Sequence, residues 1–348
     1  MLYFDQQFQK GVNGVNHLAQ FKQANGQRNA FNRMQKQMAQ LHGNASAIIP
    51  QDVYREFDTQ TKTLMRSDNH VIMNDLLPLA KSLPVGKIEH VYRRASDSGS
   101  VQTSISGMTP TELDKTDYDY DSTIKVIHQS AFGRSWMEME GQKSEGFDGL
   151  VDDQANGVRA VQDAIASHIV NGVTGVSFKG FTPDGIKNSS KVQAVDLDAS
   201  GLNVNFSASA TTAAAIRTGW IAMDNTLAIT NNVMMARDYY VSREIFSNFK
   251  RYATTTNDTG RTILQTLLEI PGVASIKEDA SLTGNQVIGF ARDAQFIRPL
   301  VGMAVTTVPL FRGNPMDNYN FLVWTNVGLE IKTDYTGKKG VLYARAIA

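Results

Sequence analysis

The most regular apolar spacing in the chain lies between Phe147 and Asn171. Leu150, Gln154, Val158, Val161, Ile165 and Ile169 recur at intervals of 4, 4, 3, 4 and 4, and Gln154 is the one polar member. That is a single helical stripe, with Asp152, Asp153, Arg159 and Asp163 off it. Asp148, Asp152 and Asp153 near the start suit the positive end of a helix dipole, and Asn171-Gly172 supplies a stop. At about 24 residues the helix would span roughly 36 Å. Alternation of period two appears elsewhere. Lys87 to Arg94 is one such run and Ser122 to His128 another, with a long polar stretch between them that has no continuous apolar face. The pattern predicts a two-stranded arm over 87–132. A long connection of this kind usually has a role of its own, and an isolated hairpin is marginal in water. It needs a partner surface, and the simplest partner is another copy of the chain.

The remaining elements are shorter. Asn74 to Ala80 reads as a short helix before the arm. After Asn171 comes a turn region, Gly172-Val173-Thr174-Gly175 and Phe178-Lys179-Gly180-Phe181, and Ser207 to Thr212 is a small-residue linker that leads into a helix. That helix carries Ile216, Trp220, Met223 and Leu227 on one face. Val233 to Ala236 reads as a buried strand. Ser242 is placed to cap a helix with Ile245, Phe249 and Tyr252. A polar loop from Thr254 to Gly260 and a short helix with Ile263, Leu264, Leu267 and Leu268 follow. From Val273 onward the chain reads as strands: Val287–Phe290, Val301–Val308, Phe321–Thr325, Leu329–Thr333 and Val341–Ile347. There is no internal repeat of fixed period.

Composition sets residues 1–47 apart. They are rich in Gln and Asn, and carry Lys10, Lys22, Arg28, Arg33 and Lys36 against Asp5 alone, a net charge of five minus one. Met34, Met38 and Leu41 recur at helical spacing, which predicts a helix over 28–42. The five cations are candidates to face nucleic-acid phosphates, a contact that weakens with salt. A solvated helix face, or contact with an acidic neighbour, is the stronger reading. The whole chain is balanced, with 34 Lys and Arg against 34 Asp and Glu in 348 residues. A dedicated nucleic-acid binder usually has a basic excess, and a neutral chain meets no long-range repulsion from its own copies. There is no cysteine, which excludes disulfides, thiolate catalysis and Cys-based zinc sites. The first eight residues lack a signal-peptide pattern, and no run approaches the roughly 18 apolar residues of a membrane helix. The expectation is a chain made in the cytoplasm, with no membrane partner.

Candidate chemistry is sparse. Asp117-Tyr118-Asp119-Tyr120-Asp121 resembles the opening of a calcium loop, but Ser122 and His128 stand where Gly and Glu are required. Strand alternation explains the run better, with Asp on one face and Tyr on the other. With Glu112 and Asp114 these carboxylates form an acidic patch. Asp117, Asp119 and Asp121 are candidates to pair with Arg93 and Arg94, within the hairpin or between subunits. The six histidines have no metal spacing. His90 and His128 are placed to face each other across the hairpin, and His168 reads as a packed side chain. Gly133-Arg134-Ser135-Trp136-Met137 lacks the closing Gly of a nucleophile elbow. No Gly-x-Gly occurs, and Gly86-Lys87 and Gly337-Lys338 lack the upstream Gly of a phosphate loop. No catalytic, cofactor or metal residue is named, and the chain is read as a non-enzyme.

The order of elements resembles the major capsid protein of tailed bacteriophages, the Hong Kong 97 fold. The likeness is one of architecture over nearly the whole chain, with soft local matches at Ile169-Val170-Asn171-Gly172, Phe178-Lys179-Gly180-Phe181, Ile270-Pro271-Gly272-Val273 and Val341-Leu342-Tyr343-Ala344-Arg345. The resemblance implies an α+β fold, with residues 1–47 as an N-terminal arm and 87–132 as an extended hairpin loop. It implies a peripheral domain from 48–86, 133–204 and 321–348, with 147–171 as its spine helix, and an axial domain at 205–320. It further implies pentamers and hexamers in an icosahedral head around double-stranded DNA, assembled in the host cytoplasm. Scaffolding and portal proteins are implied as partners, and a decoration protein as an optional one. The start at Met1 points to a separate scaffold in place of a cleaved propeptide. An encapsulin-type compartment is the first alternative, and a soluble metal-binding protein or enzyme the second.

Overall fold

The computed structural model describes residues 14–41, 64, 66–67, 69–99, 101, 103, 105–106, 114–145, 149–198, 202–253 and 260–346. Lys10, Glu112 and the polar loop expected over 254–259 lie outside the described residues. The chain divides into two compact units, Met1–Met65 and Arg66–Ala348.

The first unit contains helix α1 (Gly14–Leu41). It begins well before the 28–42 stretch expected from Met34, Met38 and Leu41. Its Ala, Gln, Lys and Arg content favours a helix by intrinsic propensity, with no apolar stripe to announce it. Every side chain described in it, residues 22–37, is exposed, Phe31 and Met34 included.

The second unit is built on two sheets. The four-stranded sheet has the order β1 (Lys81–Ser82), β9 (Ile297–Pro309), β10 (Tyr319–Ile331), β4 (Val126–Arg134). Helix α4 (Gly149–Asn171) lies on it. Val161, Ile165 and Ile169 of that helix are buried with Val323, Val327, Leu329 and Ile331 of β10. Gly157 allows the closest approach. A Cβ there would stand 3.2 Å from Phe132 and 3.3 Å from Val323. Gln154 of the expected stripe is exposed, and between the buried Gly149 and Gly157 no residue of the helix is buried. The helix stops at Gly172 with φ +75°, and the chain folds back across its end. The amides of Ile186 and Lys187 donate to the carbonyls of Ile169 and Val170, both at 2.9 Å. The orphan acceptors of the last turn are thereby met. Helix α2 (Val71–Leu76) and a 3-10 turn (Leu77–Leu79) occupy the place of the short helix expected at 74–80.

The five-stranded sheet has the order β5 (Gln193–Asp196), β11 (Val341–Arg345), β8 (Gln286–Ala291), β6 (Arg237–Val241), β7 (Val273–Glu278). Both faces are covered, and alternate residues serve alternate cores. Tyr239 and Val241 face the cluster of Phe206, Trp220, Phe249 and Leu267, under helices α5 (Ala213–Asn225), α6 (Arg243–Phe249) and α7 (Ile263–Leu268). Tyr240, Ile288, Phe290, Val341 and Tyr343 face the core shared with α4. Thr212, Ser242 and Thr262 cap these three helices, and Thr262 forms a capping box with Gln265. Long-range pairings close both sheets, β8 with β11 and β9 with β10.

Four sequence expectations need correction. Val233–Ala236 is not a strand: Val233 is buried, Met234 is exposed, and β6 starts at Arg237. Arg237 is a strand residue because Asp224 pairs with its guanidinium in the core, Nε to Oδ1 at 2.6 Å and Nη2 to Oδ2 at 2.8 Å. Phe321–Thr325 and Leu329–Thr333 are parts of one strand, β10. Its polar break at Asn326-Val327-Gly328 is a bulge and a close approach: Asn326 Nδ2 donates to the Val85 carbonyl, and a Cβ at Gly328 would meet the Ile124 carbonyl at 2.6 Å. The run Ser122–His128 is divided between two sheets. Residues up to Ile124 pair in the hairpin, and Val126 onward pair with β10. His90 therefore stands opposite Thr123 and not His128. A helix that the sequence reading did not foresee, α3 (Trp136–Glu145), precedes α4.

Candidate assembly arm and its root

The arm is a two-stranded antiparallel sheet of β2 (Glu89–Ala95) and β3 (Tyr118–Ile124), joined to neither of the larger sheets. Within the Asp117–Asp121 run, Tyr118 to Asp121 open β3. Above Ala95 and Tyr118 the strands continue through local contacts: Ser96 N donates to the Asp117 carbonyl at 2.9 Å, Asp117 N to Ser96 Oγ at 2.8 Å, and Gly99 N to Asp114 Oδ2 at 3.0 Å. Val101 and Ile105 further out are fully exposed.

The root is held by two buried groups, Tyr92 and Glu330, and the half-buried Asp121. Tyr92, only 8% exposed, donates its hydroxyl to Asp121 Oδ2 at 2.9 Å. Lys191 and Lys332 stand over its ring at 5.5 and 5.9 Å from the centroid. Burial, reinforced by the Asp121 charge, pushes the phenol up to about 12. Asp121 is the counterpart. Burial alone would raise its carboxyl, but the Lys191 ammonium at 2.9 Å and the Tyr92 hydroxyl outweigh it and hold the group below the usual carboxylate range. Glu330, fully buried on β10, meets His90 Nδ1 at 2.6 Å and also the Arg298 guanidinium. Lys81 Nζ lies 3.1 Å from His90 Nε2, so the arm is tied to β1 and β10 through one imidazole. Lys179 Nζ reaches Glu89 at 3.2 Å.

The candidate contact residues separate on this frame. Arg94 pairs with Asp119 inside the hairpin and donates to Thr333 Oγ1 at 3.1 Å. Asp121 belongs to the root. Arg93 is exposed and lies over the Tyr118 ring, 4.7 Å from its centroid, with no ion pair among the described residues. Asp117 is exposed. Lys22, Arg28, Arg33 and Lys36 are exposed on α1. The sequence reading passed over Tyr92, Lys191 and Glu330. Tyr92 carried a signal, as the aromatic member of an alternating run, but its partners are 29 to 240 residues away by their numbers and none is visible from spacing. His168 is buried, as expected of a packed side chain. Its Nδ1 lies 3.1 Å from His128 Nε2, and burial beside His128 lowers it to about 4.

Comparison with known proteins gives a consistent picture. Residues 44–344 match the model of a family of unknown function, DUF6260. No curated protein matches the chain. Among solved structures, the capsid of Myoviridae phage XM1 is similar at 11% identity and a TM-score of 0.65, covering 87% of this chain and 100% of that one. The capsid of a native GTA particle is similar at 12% identity and 0.59, covering 84% and 95%. A virus-like particle from Pyrococcus furiosus is similar at 13% identity and 0.50, covering 80% and 92%. The architecture is thus the mixed α+β fold of phage capsid proteins, and the chain belongs to the DUF6260 family.

Proposed function

We propose that this protein is the coat subunit of an icosahedral phage head, assembling through pentamers and hexamers around double-stranded DNA. One observation carries the reading: the whole length of a phage capsid chain is matched in fold by 87% of this one. The hairpin supports it, because it joins neither larger sheet and Val101 and Ile105 beyond its root are exposed on this chain alone. In this reading residues 1–47 are the N-terminal arm and 87–132 the extended loop. Helix α4 is the spine of a peripheral domain formed by 48–86, 133–204 and 321–348, and 205–320 is the axial domain. Lys10, Lys22, Arg28, Arg33 and Lys36 face the packaged DNA. Scaffolding and portal proteins act at assembly, which takes place in the host cytoplasm, and the finished subunit resides in the virion. The protein works by contact between copies and not by catalysis.

The test is direct. The purified chain, with and without a co-expressed scaffold, is sedimented and imaged by negative stain. Closed shells or capsomer rings are expected. A monomer at all concentrations would remove the proposal. The likeness to the Pyrococcus furiosus particle keeps an encapsulin-type compartment as a second reading. Particles that hold a cargo protein and no DNA would favour it.

A further inference from the structure

Strand β4 is the outer strand of its sheet. It pairs with β10 along its whole length, Val126 to Arg134, without a register shift, and among the described residues no strand lies on its other side. The parity of the ladder decides which groups it leaves free. Leu310 N donates to the Asn320 carbonyl at 2.9 Å, so Asn320 turns its backbone groups toward β9. Successive residues of an antiparallel strand turn theirs to opposite sides. Phe321, Val323 and Thr325 therefore meet Phe132, Ser130 and His128 of β4. Ile127, Gln129, Ala131 and Gly133 turn N–H and C=O away from β10, and none of these groups has a partner among the described residues. Lys125 keeps the same parity, and its amide donates to the Ile88 carbonyl at 2.9 Å. The free edge thus runs from Ile127 to Gly133. The arm root closes it at one end, and the start of α3 at Trp136 closes it at the other.

Open edges invite pairing with another chain, and folds that avoid it shorten them, charge them, bulge them or place proline on them. The opposite edge of this sheet follows that rule, since β1 is two residues long and carries Lys81. β4 has none of these devices. It is nine residues long, regular, and free of proline, Lys, Arg, Asp and Glu from 126 to 133. Helix α4 covers one face, where Phe132 lies against Gly157. On the other face Ile127, Gln129, Ala131 and Gly133 are exposed.

Two copies of this edge fit each other. Set antiparallel about Ser130, they bring Gln129 of one copy opposite Ala131 of the other, and Ile127 opposite Gly133. Each of these is a hydrogen-bonding position on both copies, so the free groups of both edges are met and none is left over. The next pair outward would be Lys125 with Ser135. There Ile88 already holds the edge of one copy and the strand of the other has ended, so the register is fixed from both sides. We propose that two copies join through their β4 strands about a two-fold axis, merging their four-stranded sheets into one. The contact is isologous and closes on itself. The inference rests on the shell reading for the presence of neighbouring copies, and names one contact between them.

The chain has no cysteine, so a single one reports the contact. Ser130 would face its own counterpart at a non-hydrogen-bonded position, where Cα atoms stand about 4.5 Å apart, within disulfide range. Ser130→Cys, assembled and oxidised, should run as a covalent dimer on a non-reducing gel. Ile127 is more exposed than Ser130, but its counterpart would lie roughly 20 Å along the other strand, so Ile127→Cys should stay monomeric on the gel. Ala131→Pro removes an outward N–H and spares the ladder to β10. It should melt near the wild-type temperature yet form shells poorly. In hydrogen exchange the amides of Ile127, Gln129, Ala131 and Gly133 should be open in the free subunit and protected in particles. Particles of Ser130→Cys with no dimer band overturn the pairing and leave the shell reading intact, as does normal assembly of Ala131→Pro. Protected amides without the disulfide overturn it too, since another segment of a neighbour would then hold the edge. A cross-linked dimer that never builds particles overturns the shell reading and keeps the pairing. A chain that never leaves the monomer overturns both. If Ala131→Pro fails to fold by circular dichroism, the disulfide and the exchange decide.

Discussion

Tyr92 concentrates at one side chain the work of holding the arm. Its hydroxyl is a donor to Asp121, and its ring lies between Lys191 and Lys332. Tyr92→Phe keeps the ring and removes the donor, so chemical denaturation should show a loss of about 1 kcal/mol. Tyr92→Ala should cost more, about 3–5 kcal/mol, the range for large aromatic truncations. A second residue-scale prediction concerns acid. His168 titrates at about 4 in the folded chain against 6.5 for the ordinary group. The unfolded chain therefore binds the proton first as pH falls. The stability that His168 contributes is fully present above about 6.5 and is lost as pH drops toward 4, by up to about 3 kcal/mol. Melting temperature measured between pH 7 and 4 should fall steeply in the wild type and less steeply in His168→Gln. Identical slopes would mean another group governs acid stability. Little of this was legible in the sequence. A histidine beside the helix stripe suggested burial, but nothing in the spacing pointed from His168 to His128, which the packing of α4 on β4 brings together, or from Tyr92 to Asp121, which strand pairing brings together.

Elements were legible where one periodicity ran without interruption. Helix α4 could be read because Val158, Val161, Ile165 and Ile169 face one sheet, and α5, α6 and α7 because each carries an apolar stripe, with Ser242 also marking the start of α6. Strand β10 could not be read whole because Asn326 and Gly328 answer to the loop before the arm and not to the strand. Helix α3 could not be read because no apolar stripe marks it. Val161→Asp or Ile165→Asp should abolish folding, since each places an unpaired charge in the core beneath α4. Circular dichroism and solubility would show it. A gentler probe is Gly185, where a Cβ would stand 2.2 Å from the Gly172 amide. Gly185→Ala should destabilise the chain by about 1–3 kcal/mol through this overpacking, and hydrogen exchange should locate the damage in the last turn of α4. Protection unchanged at Ile169 and Val170 would contradict that account.

At the scale of the whole molecule, the hairpin and the long helix that follows it were readable in their order, while the long-range pairing of strands was not. Pairings such as β8 with β11 join partners that are distant in sequence. The prediction at this scale is assembly without a change in folding. Arg93→Glu with Arg94→Glu should leave a subunit that melts near the wild-type temperature but forms shells poorly, as seen by sedimentation. Both the double variant and Arg94→Glu alone lose the exposed pair with Asp119, a change confined to the hairpin that costs about 0–1 kcal/mol. Normal shells from the double variant would remove both arginines from the contact.

The position of β11 carries a consequence for timing. It lies between β5 and β8 and is paired on both sides. Ribosomes must therefore translate past residue 345 before the two flanks of that sheet can be joined. Until then a nascent polypeptide lacks the strand between β5 and β8, and the sheet stays open at that place.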